Sequence, residues 1–221
     1  MSVFEIIDKY KVAFGHGILV TLNLCLFIWT SGLLGGSLLG FLGQRYKYLI
    51  GVPVRIFAFI LTGIPVLVFL YWLHYPFQQM IGRNFDPFIT TAVALSLVNI
   101  FSVATTVRNA IENLPEQYVE AATVCGITSR KRFLQIELPI IFRYVLPSFL
   151  IMQVNMLHLT LFGSLISVNE IFRVSQQINS QIYQPVEIYT ALGLFFLLVC
   201  LPVNGVAMYL KVKFARNISE R

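Results

Sequence analysis

Residues 12–44 read VAFGHGILVTLNLCLFIWTSGLLGGSLLGFLGQ, 33 positions without one Asp, Glu, Lys or Arg. A bilayer core about 30 Å thick needs roughly 20 helical residues at 1.5 Å each. The stretch exceeds that and lacks the two-residue alternation of a barrel strand. It therefore predicts a spanning helix. A signal peptide carries only about 7–15 apolar residues before its cleavage site, so this first helix is expected to be retained.

To its C-terminal side, four more uncharged runs are long enough to span: Ile56–Gly82, Pro87–Val107, Tyr144–Asn169 and Ile188–Leu210. The expected fold is all-α: residues 1–221 form one transmembrane domain with five helices at about 14–43, 56–81, 87–107, 144–169 and 188–210. Composition agrees. Hydrophobic residues make up 57% of the chain and charged ones 12%, with mean hydropathy +0.76, where a soluble domain carries about 25% charge. That excludes a disordered chain, a disulfide scaffold and an ordinary soluble enzyme.

The net charge is +6. The basic residues flank the apolar runs, so membrane topology explains them and no nucleic-acid partner is needed. Twelve of the sixteen lie in three segments on one side: Arg45, Lys47, Arg55; Arg108, Arg130, Lys131, Arg132, Arg143; and Lys211, Lys213, Arg216, Arg221. Lys9, Lys11, Arg83 and Arg173 lie on the other. The positive-inside rule makes the first set cytoplasmic, with the N-terminus outside and the C-terminus inside. Met1–Lys11 is expected to lie on the outer interface as a short amphipathic helix. The external links, about 83–86 and 170–187, are short, and the one large polar segment is the loop 108–143.

That loop begins RNAIENLPEQYVEAATVCGITSRKRFLQIELPI at Arg108. Asn113 and Glu116 have capping-box spacing, with Pro115 in the first turn. Tyr118–Val124 continues a helix, and Gly126 supplies a left-handed residue to end it. Thr128 or Ser129 is placed to cap a second helix, Arg130–Ile136, and Pro139 to stop or kink the chain beyond it.

Glu120-Ala121-Ala122, Gly126, Ile136 and Leu138-Pro139 stand at every position of the EAA motif of ATP-binding-cassette importer permeases. The chain resembles the polar amino-acid permeases of the five-helix, type I importer class over nearly its whole length, from Gly17-x3-Thr21 to the tail. Gly63-Ile64-Pro65-Val66-Leu67-Val68 resembles the family's R-G-T-P-L-L-V stretch. Arg108, Ile111 and Pro115 resemble its R-G-G-I-x-x-[VI]-P. Thr160, Ser164, Ile166, Val168 and Glu170 resemble its K-x-T-S-L-x-S-x-I-x-V-x-E-L.

The resemblance implies that the loop is a coupling helix seated in a groove of a cytoplasmic ATPase. Glu120, Ala121, Ala122, Gly126 and Arg130 are then the docking set. It further implies a second permease subunit, identical or similar, two ATPase subunits that hold ATP and Mg, and an extracytoplasmic binding protein. The chain itself is expected to be no enzyme and to hold no cofactor. It has no G-x-x-x-x-G-K-[ST] phosphate cradle, no triad stands out, and Cys25, Cys125 and Cys200 lack metal-ligand spacing.

Polar side chains inside spans are the candidates for the solute path. Asn99, Ser102 and Thr106 fall at i, i+3 and i+7 on one helix face. Asn155 and His158 share a face of the fourth span, while Thr160 points elsewhere. The chain departs from the family where Thr62 stands for a frequent Arg, Thr105 for Glu, His158-Leu159 for Lys-Asp and Gln117-Tyr118 for Gly-Gln. A heterodimer whose partner holds the solute and a divergent homodimer both fit these losses. The expected function is import of a polar amino acid across the bacterial cytoplasmic membrane. The alternatives are methionine or another small solute, or an ion-coupled secondary transporter, although the spans hold no carboxylate for the latter.

Overall fold

The computed structural model describes residues 2–219; Met1 of the outer segment and Arg221 of the basic tail lie outside them. Among the described residues there are helices and turns and no strand. Ser2 and Glu5 close a capping box that starts α1 (Val3–Lys9). α2 (Lys11–Ser31) passes through a π-helical segment, Gly32–Gly36, into α3 (Ser37–Arg45), giving one apolar rod of 35 residues. α1 does not simply float on an interface. Its Ile6 is fully buried against α12 (Pro185–Ser219) and α2, while Phe4 faces outward.

The second expected span is not one helix. α4 (Val52–Gly63) and α5 (Val66–His74) meet at a break, and the rods 47–63 and 66–81 diverge by 99°. The cause is Pro65. It has no N–H to continue the ladder, and its ring forces Ile64 out of the helical region, to φ −102°, ψ 126°. The uncharged run predicts an unbroken crossing, and the Gly63–Pro65 motif inside it overrides that expectation. α6 (Pro76–Ile81) then ends on left-handed Gly82.

α7 (Pro87–Glu112) is the central helix, packed by α2, α3, α4, α5 and α10 (Leu138–Leu159). Hydrocarbon is as apolar as leucine, so helices in lipid associate through close packing and hydrogen bonds. Small residues supply the closeness here. A Cβ on Gly32 would overlap the Asn99 amide, one on Gly36 would lie 2.6 Å from Val103 Cβ, and one on Gly40 2.8 Å from Val107 Cβ. Four-residue spacing puts these three glycines on one stripe, which α7 fills.

The fourth span is longer than expected. α9 (Ser129–Arg132), a π-turn Phe133–Glu137, α10 and a 3₁₀ segment Thr160–Ile166 form one continuous helical rod, whose N-terminal part carries the charges of the loop and whose remainder is apolar. Pro139 does not stop it. It follows directly on the π-turn, where Leu138 N–H reaches back to Phe133 O, and the chain stays helical through it. The external link 170–187 holds an amphipathic helix, α11 (Ile171–Ile182), whose Ile171, Val174 and Ile178 are buried against α2 and α12.

Candidate functional site

The loop between α7 and α10 is folded into short helices joined by a tight turn. α8 (Glu116–Val124) begins at Pro115 with no side-chain cap. The Asn113 capping box does not form. Asn113 ends α7 instead, its amide donating to Asn109 O at 2.8 Å, because the helical i−4 carbonyl is nearer than the first turn beyond Pro115. Gly126 does adopt the left-handed conformation, φ 68°, and the chain doubles back through Gly126 N–H to Thr123 O and Ile127 N–H to Ala122 O, both 3.0 Å. Thr128 occupies the cap position of α9 without a side-chain bond. Arg132 then staples the two arms: it donates to Glu137 Oε1 at 2.8 Å and to Thr123 Oγ1 at 3.5 Å.

This scaffold sorts the docking candidates. Ala122 is buried at 3% exposure, and the neighbouring Glu120, Ala121, Gly126 and Arg130 are exposed. Glu120 makes no ion pair among the described residues, where the three pairs are Asp8–Lys11, Arg108–Glu112 and Arg132–Glu137. A free carboxylate beside a small-residue face is thus presented on a stapled turn.

The other half of the site lies at the α4–α5 break. Thr62, Ile64, Pro65, Ser102, Thr105, Thr106 and their neighbours line a recess of about 530 Å³. Each hydroxyl donates to its own helix: Thr62 to Ala58 O at 2.7 Å, Ser102 to Val98 O at 2.8 Å, Thr105 to Phe101 O at 2.9 Å and Thr106 to Ser102 O at 3.0 Å. Their oxygens keep free lone pairs, so the recess offers acceptors and no fixed charge. Thr105 also borders a second hollow of about 340 Å³ that contains Arg55, Arg108, Asn109 and Glu112. The two hollows therefore adjoin at Thr105 along α7.

The structure divides the path candidates. Ser102 and Thr106 line the recess with Thr62 and Thr105. Asn99 does not join them. It is fully buried, donating to Ile28 O at 2.8 Å and to Gln153 Oε1 at 3.0 Å. Thr160 is also fully buried and donates to Leu157 O at 2.7 Å. Asn155 and His158 are exposed on α10, away from the recess lining; the His158 ring lies 3.4 Å from Cys200 Sγ and edge-on to Phe196. Thr62 and Thr105 stand out in the sequence only as departures from a family pattern. Nothing local marks them as neighbours, since the 99° break creates their meeting. Among the described residues no group of three His, Cys, Asp or Glu side chains is placed to hold a metal.

Beyond the fourth span, Glu170 caps α11. Its carboxylate accepts from Phe172 N–H at 2.8 Å and Arg173 N–H at 2.7 Å. Desolvation of this fully buried group pushes its pKa up to about 7, against the two backbone donors that favour the charged form. Gly17 lets the backbone of Ile171 approach α2, and Thr21 Oγ1 accepts the Ile171 N–H at 3.2 Å.

Comparison with known proteins places this geometry. Residues 32–216 match the family described as binding-protein-dependent transport system inner membrane component. The chain is 27% identical over 194 residues to the octopine transport system permease protein OccM of Rhizobium meliloti, covering 84% of this chain and 79% of the relative. It is 24% identical over 219 residues to the histidine/lysine/arginine/ornithine transport system permease protein HisQ of Salmonella typhimurium, covering 93% and 94%. Its fold superimposes on a crystal structure of an amino acid ABC transporter with histidines at TM-score 0.85 and 21% identity, covering 96% and 99%. A match over most of its length, on an all-helical fold that carries a structured EAA loop, means that the chain belongs to the binding-protein-dependent transport system inner membrane component family and is an integral-membrane permease subunit of an ATP-binding-cassette importer.

Proposed function

We propose that the chain imports a polar amino acid by docking a cytoplasmic ATPase on the α8 turn and passing the solute along the hydroxyl-lined recess. The observation that carries this reading is the loop: an exposed, unpaired Glu120 and the exposed Ala121 held on a turn whose direction left-handed Gly126 and the Arg132 staple determine. Two permease chains, identical or similar, enclose the path. Two ATPases bind ATP and Mg below, and a binding protein delivers the solute above. Closure of the ATPases pushes the two loops together, opens the path outward and receives the solute; hydrolysis resets it. The N-terminus lies outside and the C-terminus in the cytoplasm. Support for an amino-acid solute comes from relatives named for histidine, lysine, arginine and ornithine.

Within the recess, Ser102, Thr106, Thr62 and Thr105 supply acceptors to an ammonium or to other N–H donors of the solute. Asn155 and His158 are exposed away from the recess and take part only if the partner subunit closes over α10, while the fully buried Thr160 is placed to hold its own helix turn.

The experiment is purification of the tagged chain from its native membrane, identification of its partners by mass spectrometry, and uptake of labelled arginine, histidine, lysine and methionine by the reconstituted complex. An ATPase together with uptake of a polar amino acid supports the reading. An ATPase with uptake of methionine alone moves the solute class, and a complex without an ATPase overturns the docking role.

A further inference from the structure

At mid-depth in the spans, the two helices that flank the loop are joined by a reciprocal amide pair. Asn99 Nδ2 on α7 donates to Gln153 Oε1 on α10 at 3.0 Å, and Gln153 Nε2 donates back to Asn99 Oδ1 at 3.4 Å. Asn99 Nδ2 also donates to Ile28 O of α2 at 2.8 Å, and Trp29 Nε1 of α2 donates to the Gln153 backbone oxygen at 3.2 Å. Both amides are buried, at 0% and 5% exposure. All four of their side-chain polar atoms have a partner, and Gly32 leaves the space in which the Asn99 amide rests on α2. Apolar packing alone would not need two amides here, because a buried amide is costly until it is bonded.

The placement of this node relates it to the loop. Asn99 lies 13 residues before Glu112, the end of α7, and Gln153 lies 15 residues after Leu138, the start of α10. At 1.5 Å per residue the node is about 20 Å from the end of α7 and from the start of α10. On the α10 side the rod continues through the π-turn to Ser129, so that arm carries the longer lever into the loop. Hydrogen bonds are lost beyond about 3.5 Å, so α7 cannot slide along α10 without leaving amides unpaired in a dry environment.

We infer that Asn99 and Gln153 are positioning residues for transport: they fasten α7 to α10 and α2, so that displacement of the loop turns the three helices as one body instead of shearing the two flanking helices past each other. This rests on the importer reading, because the ATPase supplies the displacement. The chemistry is local to this chain. One carboxamide has two donors and one acceptor oxygen, which is what three helices meeting at one point require.

The test is a pair of distance measurements between nitroxide labels in the complex with its ATPase, in lipid nanodiscs, on a Cys125→Ser background and with labelled chains diluted in unlabelled ones. Labels at Asn109 and Phe142 report α7 against α10; labels at Ile56 and Phe142 report α4, outside the node, against α10. Addition of ATP and vanadate is expected to shift the Ile56–Phe142 distance and leave Asn109–Phe142 in place. In Asn99→Leu/Gln153→Met, which replaces both amides by apolar groups of similar shape and leaves no orphan, Asn109–Phe142 is expected to shift as well. The exchanged pair Asn99→Gln/Gln153→Asn is expected to hold it again. A role in stability alone would change the yield of the complex but not this nucleotide response. A shift of Asn109–Phe142 in the native chain, or none in the apolar double variant, overturns the inference. No ATPase in the complex, or no nucleotide response of either pair in any variant, overturns the importer reading itself.

Discussion

The N–H of Ile171 donates to the hydroxyl oxygen of Thr21 at 3.2 Å across 150 residues of sequence, tying the first turn of α11 to α2. With Glu170 taking the next two N–H groups, three donors of that turn are satisfied by side chains. A helix start buried without such partners is unstable. Gly17, one turn before Thr21, provides the clearance.

Thr21→Val keeps the shape and removes the acceptor. The Ile171 N–H is then buried without a partner, which costs about 1–3 kcal/mol. A lower melting temperature of the purified complex and faster amide exchange confined to α11 are expected, with Thr21→Ser close to the native chain. Unchanged exchange at Ile171 in Thr21→Val counts against the bond.

Glu170 makes stability depend on pH. Burial raises its pKa from the usual 4.5 to about 7. Between those values the folded chain binds more protons than the unfolded one, so this group makes the fold less stable as pH rises through the window and has a constant effect above it. Glu170→Gln cannot ionise. Melting curves from pH 4.5 to 8 are expected to show a negative slope below about pH 7 that is weaker in Glu170→Gln; equal slopes in the two proteins contradict it.

The stripe of glycines on the π-helical segment and α3 predicts a contrast. Gly36→Ala forces a methyl to 2.6 Å from Val103 Cβ and 2.8 Å from Ile100 O, so the helices must part. Overpacking of this kind costs about 1–3 kcal/mol. Gly193→Ala meets nothing within 4 Å and is expected to be neutral or slightly stabilising. Detergent melts of the two variants check the ordering.

In the loop, Gly126→Ala has open space but must hold φ 68°, a left-handed conformation that costs an L-residue about 1–2 kcal/mol. Glu120→Lys changes an exposed residue and reverses the unpaired carboxylate charge of the proposed docking face. Both chains are expected in the membrane. Glu120→Lys is expected to lose ATPase co-purification and Gly126→Ala to weaken it; full ATPase recovery with Glu120→Lys removes Glu120 from the docking set.

The legible parts of this molecule are those set by local chemistry. The 33 uncharged residues from Val12 to Gln44 require a spanning helix wherever they are placed. The reversal at Gly126 needs only the conformational freedom of that residue. Where a longer-range contact competes, the local reading fails. Asn113 ends one helix instead of starting the next, and Pro139 enters α10 directly after a π-turn instead of stopping the chain. The amphipathic α11 reads as a mere link, because its buried face exists only with α2 and α12 on either side.

Residue order alone makes the chain helical, embeds it in a membrane and equips it with a folded loop of EAA spacing. Length, apolarity and turn-forming residues act within a few positions of each other and depend little on the rest of the fold. Tertiary packing was needed to separate the polar residues that line the recess from those that fasten helices. Asn99, Ser102 and Thr106 share one helix face by spacing, yet Asn99 is consumed by Ile28 and Gln153 while Ser102 and Thr106 open on the recess. A 99° break at Pro65 and a glycine gap at Gly32 set that difference, because an amide bonds to whatever backbone or side chain the packing brings within about 3 Å.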